Sequence, residues 1–304
     1  MRRRIVVFLT GSLLAGLLLS SVGVRPALGE AEPDATIVPA QTPIVTPEPE
    51  PITEERLRSG EFDSYFDDSV IIGDSLTKGL ATYIRKLRSE GVNALGKAKF
   101  MGTASMSVEN ARRDMNSLRI HFSYHGKAVS ITEGINAMEA KKAFILLGLN
   151  DISNRKWSIV ERNFNTLIKI LQAKCPETEI VFQGVLPVPD IFCRKRGVKI
   201  ERWNSFNDIL RGICDAHQVE FYDFSTMLMD EKGYLQPKYA KGEFHLSETG
   251  YAVWLRALRI YAARKIYPGA ALHLDRTPAP TPTATPALTI EPSLSPDPEA
   301  TDAP

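Results

Sequence analysis

The chain has 304 residues with 37 Lys and Arg against 36 Asp and Glu, a formal net charge of +1 and 43% hydrophobic residues. Balanced, interspersed charge excludes a chain organised around nucleic acid, which calls for a basic stripe; Arg194, Lys195 and Arg196 are too few and read as a solvated loop. Cys175, Cys193 and Cys214 show no Cys-x-x-Cys spacing, which argues against a zinc or dithiol site and leaves one disulfide plus a free thiol as an open pairing.

Met1-Arg2-Arg3-Arg4 precedes an uncharged apolar stretch from Ile5 to about Val24, followed by Ala27-Leu28-Gly29. This pattern predicts an export signal over residues 1–29 with cleavage after Gly29. The stretch is also close to the roughly 20 residues that span a bilayer, so an uncleaved membrane anchor is the alternative. In both cases the rest of the chain is expected to be extracytoplasmic, secreted or held at the membrane. Residues 30–61 carry Pro33, Pro39, Pro43, Pro47, Pro49 and Pro51 and read as an extended linker that could tether a domain to membrane or wall. Residues 269–304, with their Thr-Pro and Ala-Pro pairs, read as a disordered tail. That leaves residues 62–268 as one domain, expected to be a monomer.

Within it, Val70-Ile71-Ile72 reads as a short buried strand, Gly73 as a sharp turn, and Leu76, Leu80, Tyr83, Ile84 and Leu87 as a helix whose N-cap is Ser75. A second strand, Ala98 to Met101, ends at Gly102. Lys142 to Leu147 is a third, ended by Gly148-Leu149-Asn150-Asp151, and a helix with Trp157, Val160, Phe164, Leu167, Ile168 and Leu171 in helical spacing follows. Ile180-Val181-Phe182 leads a fourth strand, Trp203, Phe206, Leu210 and Ile213 mark a helix, and Val219 to Tyr222 is a fifth strand. A last helix carries Tyr251, Leu255, Leu258 and Ala262, with Ser247 as its cap. Regular alternation of strand and helix predicts an α/β fold with a mainly parallel five-stranded sheet covered on both faces, whose sites gather at the carboxyl ends of the strands.

Ser75, Gly102 and Asn150 each follow one of these strands and should meet at one edge of the sheet. His245 lies just before the last helix and faces the same edge. Gly73-Asp74-Ser75-Leu76, Gly102, Gly148-Leu149-Asn150-Asp151 and His245-Leu246 resemble, in order and spacing, the blocks of the SGNH or GDSL-type serine hydrolases. The resemblance covers about Ser69 to Ile266 and implies a flavodoxin-like three-layer α/β/α sandwich. It further implies Ser75 as nucleophile, His245 as general base and then acid, and an oxyanion hole made by the Ser75 and Gly102 amides and the Asn150 side chain, without a cofactor or metal. A serine hydroxyl needs such a base, and a tetrahedral intermediate needs such donors. Taken singly, Gly102 also reads as a turn residue and Asn150 as a cap. Asp74 and Asp151 are expected to brace the loops.

One departure stands out. The family's triad acid precedes the histidine by three residues, and that position is Gly242. Glu243, a Ser–His dyad oriented by a backbone carbonyl, and a more distant acid such as Asp230 or Glu231 are the alternatives. The segments Met106–Lys127 and Pro187–Lys199 are expected to wall the pocket. The expected substrate is a short acyl ester, acetyl first, on an O-acylated glycan or cell-envelope polymer, with lipid or small esters second. A non-catalytic envelope-binding domain with a degenerate triad is the rival from a different class.

Overall fold

The computed structural model describes residues 49–113, 120–152 and 155–274. The expected signal or anchor, residues 30–48 of the proline-rich stretch and the tail beyond residue 274 lie outside the described residues. In chain order the elements are β1 (Ile52–Thr53), α1 (Glu54–Ser59), β2 (Ser69–Gly73), α2 (Ser75–Ser89), β3 (Lys99–Gly102), α3 (Val108–Ala111), β4 (Phe122–Tyr124) and β5 (Lys127–Val129). They continue with α4 (Ile131–Ala137), β6 (Lys142–Leu146), α5 (Leu149–Ile152), α6 (Trp157–Lys174), β7 (Glu179–Gln183), α7 (Asp190–Arg196) and α8 (Ile200–Ala216). The last are β8 (Glu220–Tyr222), β9 (Ala240–Lys241), β10 (His245–Leu246), α9 (Glu248–Ile266) and β11 (Leu272–His273).

Five strands pair in the order β3-β2-β6-β7-β8, all parallel, as the alternation predicted. The short apolar runs form strands because both faces are covered: every residue of β2 is buried, and β6 is buried from Ala143 to Leu146. Phe144 of β6 meets Tyr261 of α9 at 5.3 Å between ring centroids. Phe182 of β7, on the opposite face, meets Phe164 of α6 at 5.8 Å, and Phe164 in turn meets Phe206 of α8 at 5.8 Å. Helices therefore cover both sides, giving three layers. Gly73 pairs with Gly102 on one side and with Leu146 on the other, so the ends of β2, β3 and β6 lie level.

The packed body is longer than residues 62–268. Ile52 is fully buried, β1 pairs with β11, and Glu54 of α1 binds Arg256 of α9 through contacts of 2.6–3.0 Å. Residues 52–61 are thus part of the fold and not of the linker, and the strand at Leu272–His273 belongs to it and not to the tail. A six-residue helix is too short to show a period; its marks are the Thr53 hydroxyl accepting from the Arg56 amide and the left-handed Gly60 at its end. Cys175, Cys193 and Cys214 are all free and buried, so the disulfide option is not realised; burial pushes the Cys214 thiol up to about 12.

A second clasp holds the stretch just after α1. Asp63, 2% exposed, receives two hydrogen bonds from the Arg259 guanidinium, 7% exposed, at 2.8 and 2.6 Å. Removing one partner strands the other charge in the interior, so Asp63→Ala should lower unfolding free energy by about 3–5 kcal/mol. Urea unfolding followed by tryptophan fluorescence measures it; a loss below about 1 kcal/mol would contradict the buried-pair reading.

Candidate functional site

The turn from β2 into α2 departs from expectation by one residue. Asp74, not Ser75, is the N-cap: its Oδ1 accepts from the Leu76 amide at 2.9 Å, and Ser75 is the first helical residue. The strand runs to Gly73, where a Cβ would lie 2.2 Å from Thr77 Oγ1 and 2.4 Å from the Leu146 carbonyl oxygen. Only glycine lets the helix leave the strand so sharply, and the cap falls to the next residue. The Ser75 hydroxyl is thereby released from capping, and its amide, at the first helical position, has no acceptor within the helix.

Asp74 does more than cap. It is fully buried, and its Oδ2 accepts from Asn150 Nδ2 at 3.2 Å, while the same Asn150 nitrogen donates to the Met106 carbonyl at 3.0 Å. Burial pushes the Asp74 carboxyl up to about 7, against the pull of the Leu76 amide. Asp151 is the second brace: its Oδ2 accepts from the Val108 amide at 2.9 Å, Arg155 stands 3.6 Å from its Oδ1, and burial raises its pKa to about 6. The ends of β2, β3 and β6 are thus tied together by two buried carboxylates and one amide.

Gly102 has a packing reason for its identity. A Cβ there would lie 2.5 Å from the Lys78 amide nitrogen and 2.9 Å from its Cα, so the first turn of α2 rests directly on the end of β3.

Ser75 and His245 line one cleft of about 630 Å³, formed by α2, the β9–β10 hairpin and the start of α9. Gly102 and Asn150 do not line it. Both Asn150 Nδ2 hydrogens already have acceptors, and one would have to be exchanged for an oxyanion to be held there. His245 is half-buried on β10, opposite Lys241 in the antiparallel register. Burial, and then the charge of Lys241, hold its imidazole below the ordinary histidine value.

The candidate triad acids point elsewhere. Glu243 pairs with Lys195 of α7, which holds its carboxyl below the usual range. Asp230 accepts from the Lys232 and Tyr234 amides, both at 2.9 Å, and lines a separate depression with Glu231. Gly242 occupies the left-handed tip of the hairpin, at φ +69°. Among the described residues no carboxylate pairs with His245.

The cleft walls also differ from expectation. The described residues of Met106–Lys127 contribute no lining residue, and Pro187–Lys199 forms α7 and a different depression beside Tyr234. The walls come instead from Lys78, Tyr83, Lys241, Glu248 and Tyr251. Tyr251, read from its period as a core residue, stacks on Tyr83 at 6.0 Å between centroids, and a Cβ on Gly79 would lie 1.7 Å from its hydroxyl. Gly79, four residues beyond Ser75 in the middle of a helix, was the available signal. A glycine there costs helix stability unless something must lie against the bare backbone.

No curated protein matches the chain. Solved structures match at low identity: a GDSL-like lipase from Bacteroides thetaiotaomicron (14% identity, TM-score 0.47, covering 69% of this chain and 98% of that one) and the lipase/acylhydrolase from Enterococcus faecalis (14%, 0.46, 64% and 96%). A carbohydrate acetylesterase from Sinorhizobium meliloti matches at 16% identity and a TM-score of 0.46, covering 65% of this chain and 99% of that one. The model of the GDSL-like lipase/acylhydrolase family matches residues 71–253, more than half the chain and the whole stretch from Ser75 to His245. The chain belongs to the GDSL-like lipase/acylhydrolase family and is an ester-hydrolysing enzyme.

Proposed function

We propose that this enzyme is an exported esterase that removes short acyl groups, acetyl first, from carbohydrate or cell-envelope carriers, using Ser75 and His245 as a dyad. The observation that carries this reading is the shared cleft: a serine freed from capping at the start of α2 and a neutral-leaning histidine on β10 face the same volume.

His245 takes the Ser75 proton as Oγ bonds to the ester carbonyl carbon, and the negative charge moves to the carbonyl oxygen. The Ser75 amide at the helix start meets that charge, with Gly102 and Asn150 as the further family-implied donors. Collapse expels the alcohol, which takes the proton from His245. Water, deprotonated by the same imidazole, then attacks the acyl-serine, and the carboxylic acid leaves as Ser75 regains its proton. With no carboxylate among the described residues to stabilise the imidazolium, the dyad should be slow; in serine-protease triads, spoiling the acid costs about 10⁴-fold in kcat.

Export and tethering rest on the N-terminal apolar segment and the prolines after it, which would hold the enzyme where envelope glycans are the first esters met. Lipid esters are second, because lysines line the cleft beside its tyrosines.

p-Nitrophenyl acetate hydrolysis tests the chemistry: Ser75→Ala should lose roughly 10³-fold or more in kcat, and an unchanged rate, or none in the parent protein, overturns the reading. Glu243→Gln should stay within about twofold of the parent, since an exposed ion pair to Lys195 is all it removes; a loss of orders of magnitude would place Glu243 on His245 after all. Only the neutral imidazole can act as base. A lowered His245 pKa therefore keeps the base available further into acid, and the acid limb of kcat/KM should fall below the ordinary value of about 6.5. Lys241→Gln, by removing a repelling cation, should move that limb upward, and a limb that stays in place contradicts the assigned cause.

A further inference from the structure

We propose that the cleft selects esters whose carrier bears an anionic group, carboxylate or phosphate, and that Lys78 and Lys241 read that charge. The proposal rests on Ser75 and His245 being the reacting pair and names the substrate class they serve.

Lys78 follows Ser75 by three residues on α2, so the two share a helix face. Lys241 stands opposite His245 in the β9–β10 register. A cation therefore accompanies each member of the pair, and both line the cleft. A third lysine, Lys86, is neutralised by Glu248 through contacts of 2.8 and 2.9 Å. Among the described residues neither Lys78 nor Lys241 has an acidic partner, although the cleft includes the Glu248 carboxylate.

The whole chain carries a net charge of only +1, so this excess is local and does not reflect a basic protein. Buried walls of Tyr83, Leu246 and Tyr251 beside the lysines lower the local dielectric and concentrate their field in the cleft. An ammonium on a flexible stem acts as a point charge, suited to carboxylate and phosphate alike and lacking the planar fork that would favour one. A short acyl group has no room for an anion, which places the charge on the alcohol carrier. Hydrolysis leaves that anion on the released alcohol, with no redox step or co-reactant beyond water.

The test compares kcat/KM of the full-length protein on matched esters at low salt: 1-acetylglycerol against its 3-phosphate, and acetylated xylo-oligosaccharide against acetylated oligogalacturonate. The anionic member of at least one pair should be favoured by roughly five- to twentyfold, and the phosphate and uronate arms separate the two sources of charge. The ratio should fall toward one in high salt and in the Lys78→Gln/Lys241→Gln double variant. Equal constants for charged and neutral members, or a preference that survives the double substitution, overturn the proposal while leaving the esterase reading intact. If no acetyl ester is turned over, the esterase reading fails instead. Calorimetric titration of the Ser75→Ala protein with oligogalacturonate, glycerol phosphate and xylo-oligosaccharide then decides the charge preference: tighter anion binding supports it, and equal or absent binding overturns it.

Discussion

The buried carboxyl of Asp74, seconded by that of Asp151, holds the site together. It caps α2 through the Leu76 amide and takes the Asn150 amide, whose other hydrogen reaches the Met106 carbonyl. The three segments that follow β2, β3 and β6 are thereby fixed to one another at the carboxyl edge of the sheet. Satisfying a buried acid in this way is obligatory, because an unpaired one would cost several kcal/mol or neutralise itself. Its consequence reaches the chemistry: the residue that caps the helix is not the serine, so the serine hydroxyl faces the cleft.

Close backbone approach is the second constraint, and it explains the glycines better than substrate contact does. Gly73 and Gly102 each lie where the first turn of α2 presses on the sheet, and Gly79 lies where the Tyr251 ring crosses the helix. Each removes a Cβ that would hold α2 away. The turn that carries Ser75 and one cleft wall are thus both set by how closely one helix can dock.

Much of this was legible in the sequence. Five apolar runs alternating with helical periods identify the parallel sheet, because burial on both faces makes the central strands β2 and β6 mainly apolar. The blocks around Ser75, Asn150 and His245 show which strand ends matter. Other parts were hidden for definite reasons. Asp74 and Ser75 are equally good caps, and only the extent of β2 decides between them. The α1 helix and the two-residue strands β1 and β11 are too short for a period, and Glu54 of α1 and Asp63 just after it find their partners, Arg256 and Arg259, only 202 and 196 residues further on. The cleft walls escaped because Lys78, Lys241 and Tyr251 come from three elements brought together only by the fold. Glu243, one residue from the expected acid position, is drawn to Lys195, a partner that no local pattern announces.

The proposed chemistry uses a serine activated by a histidine that, among the described residues, has no carboxylate behind it. Fluorophosphonate labelling followed by intact-mass analysis and peptide mapping tests this directly. One adduct is predicted, on Ser75, with a labelling rate that falls about a hundredfold or more in His245→Ala. An adduct on another residue, no adduct, or a rate independent of His245 would contradict it.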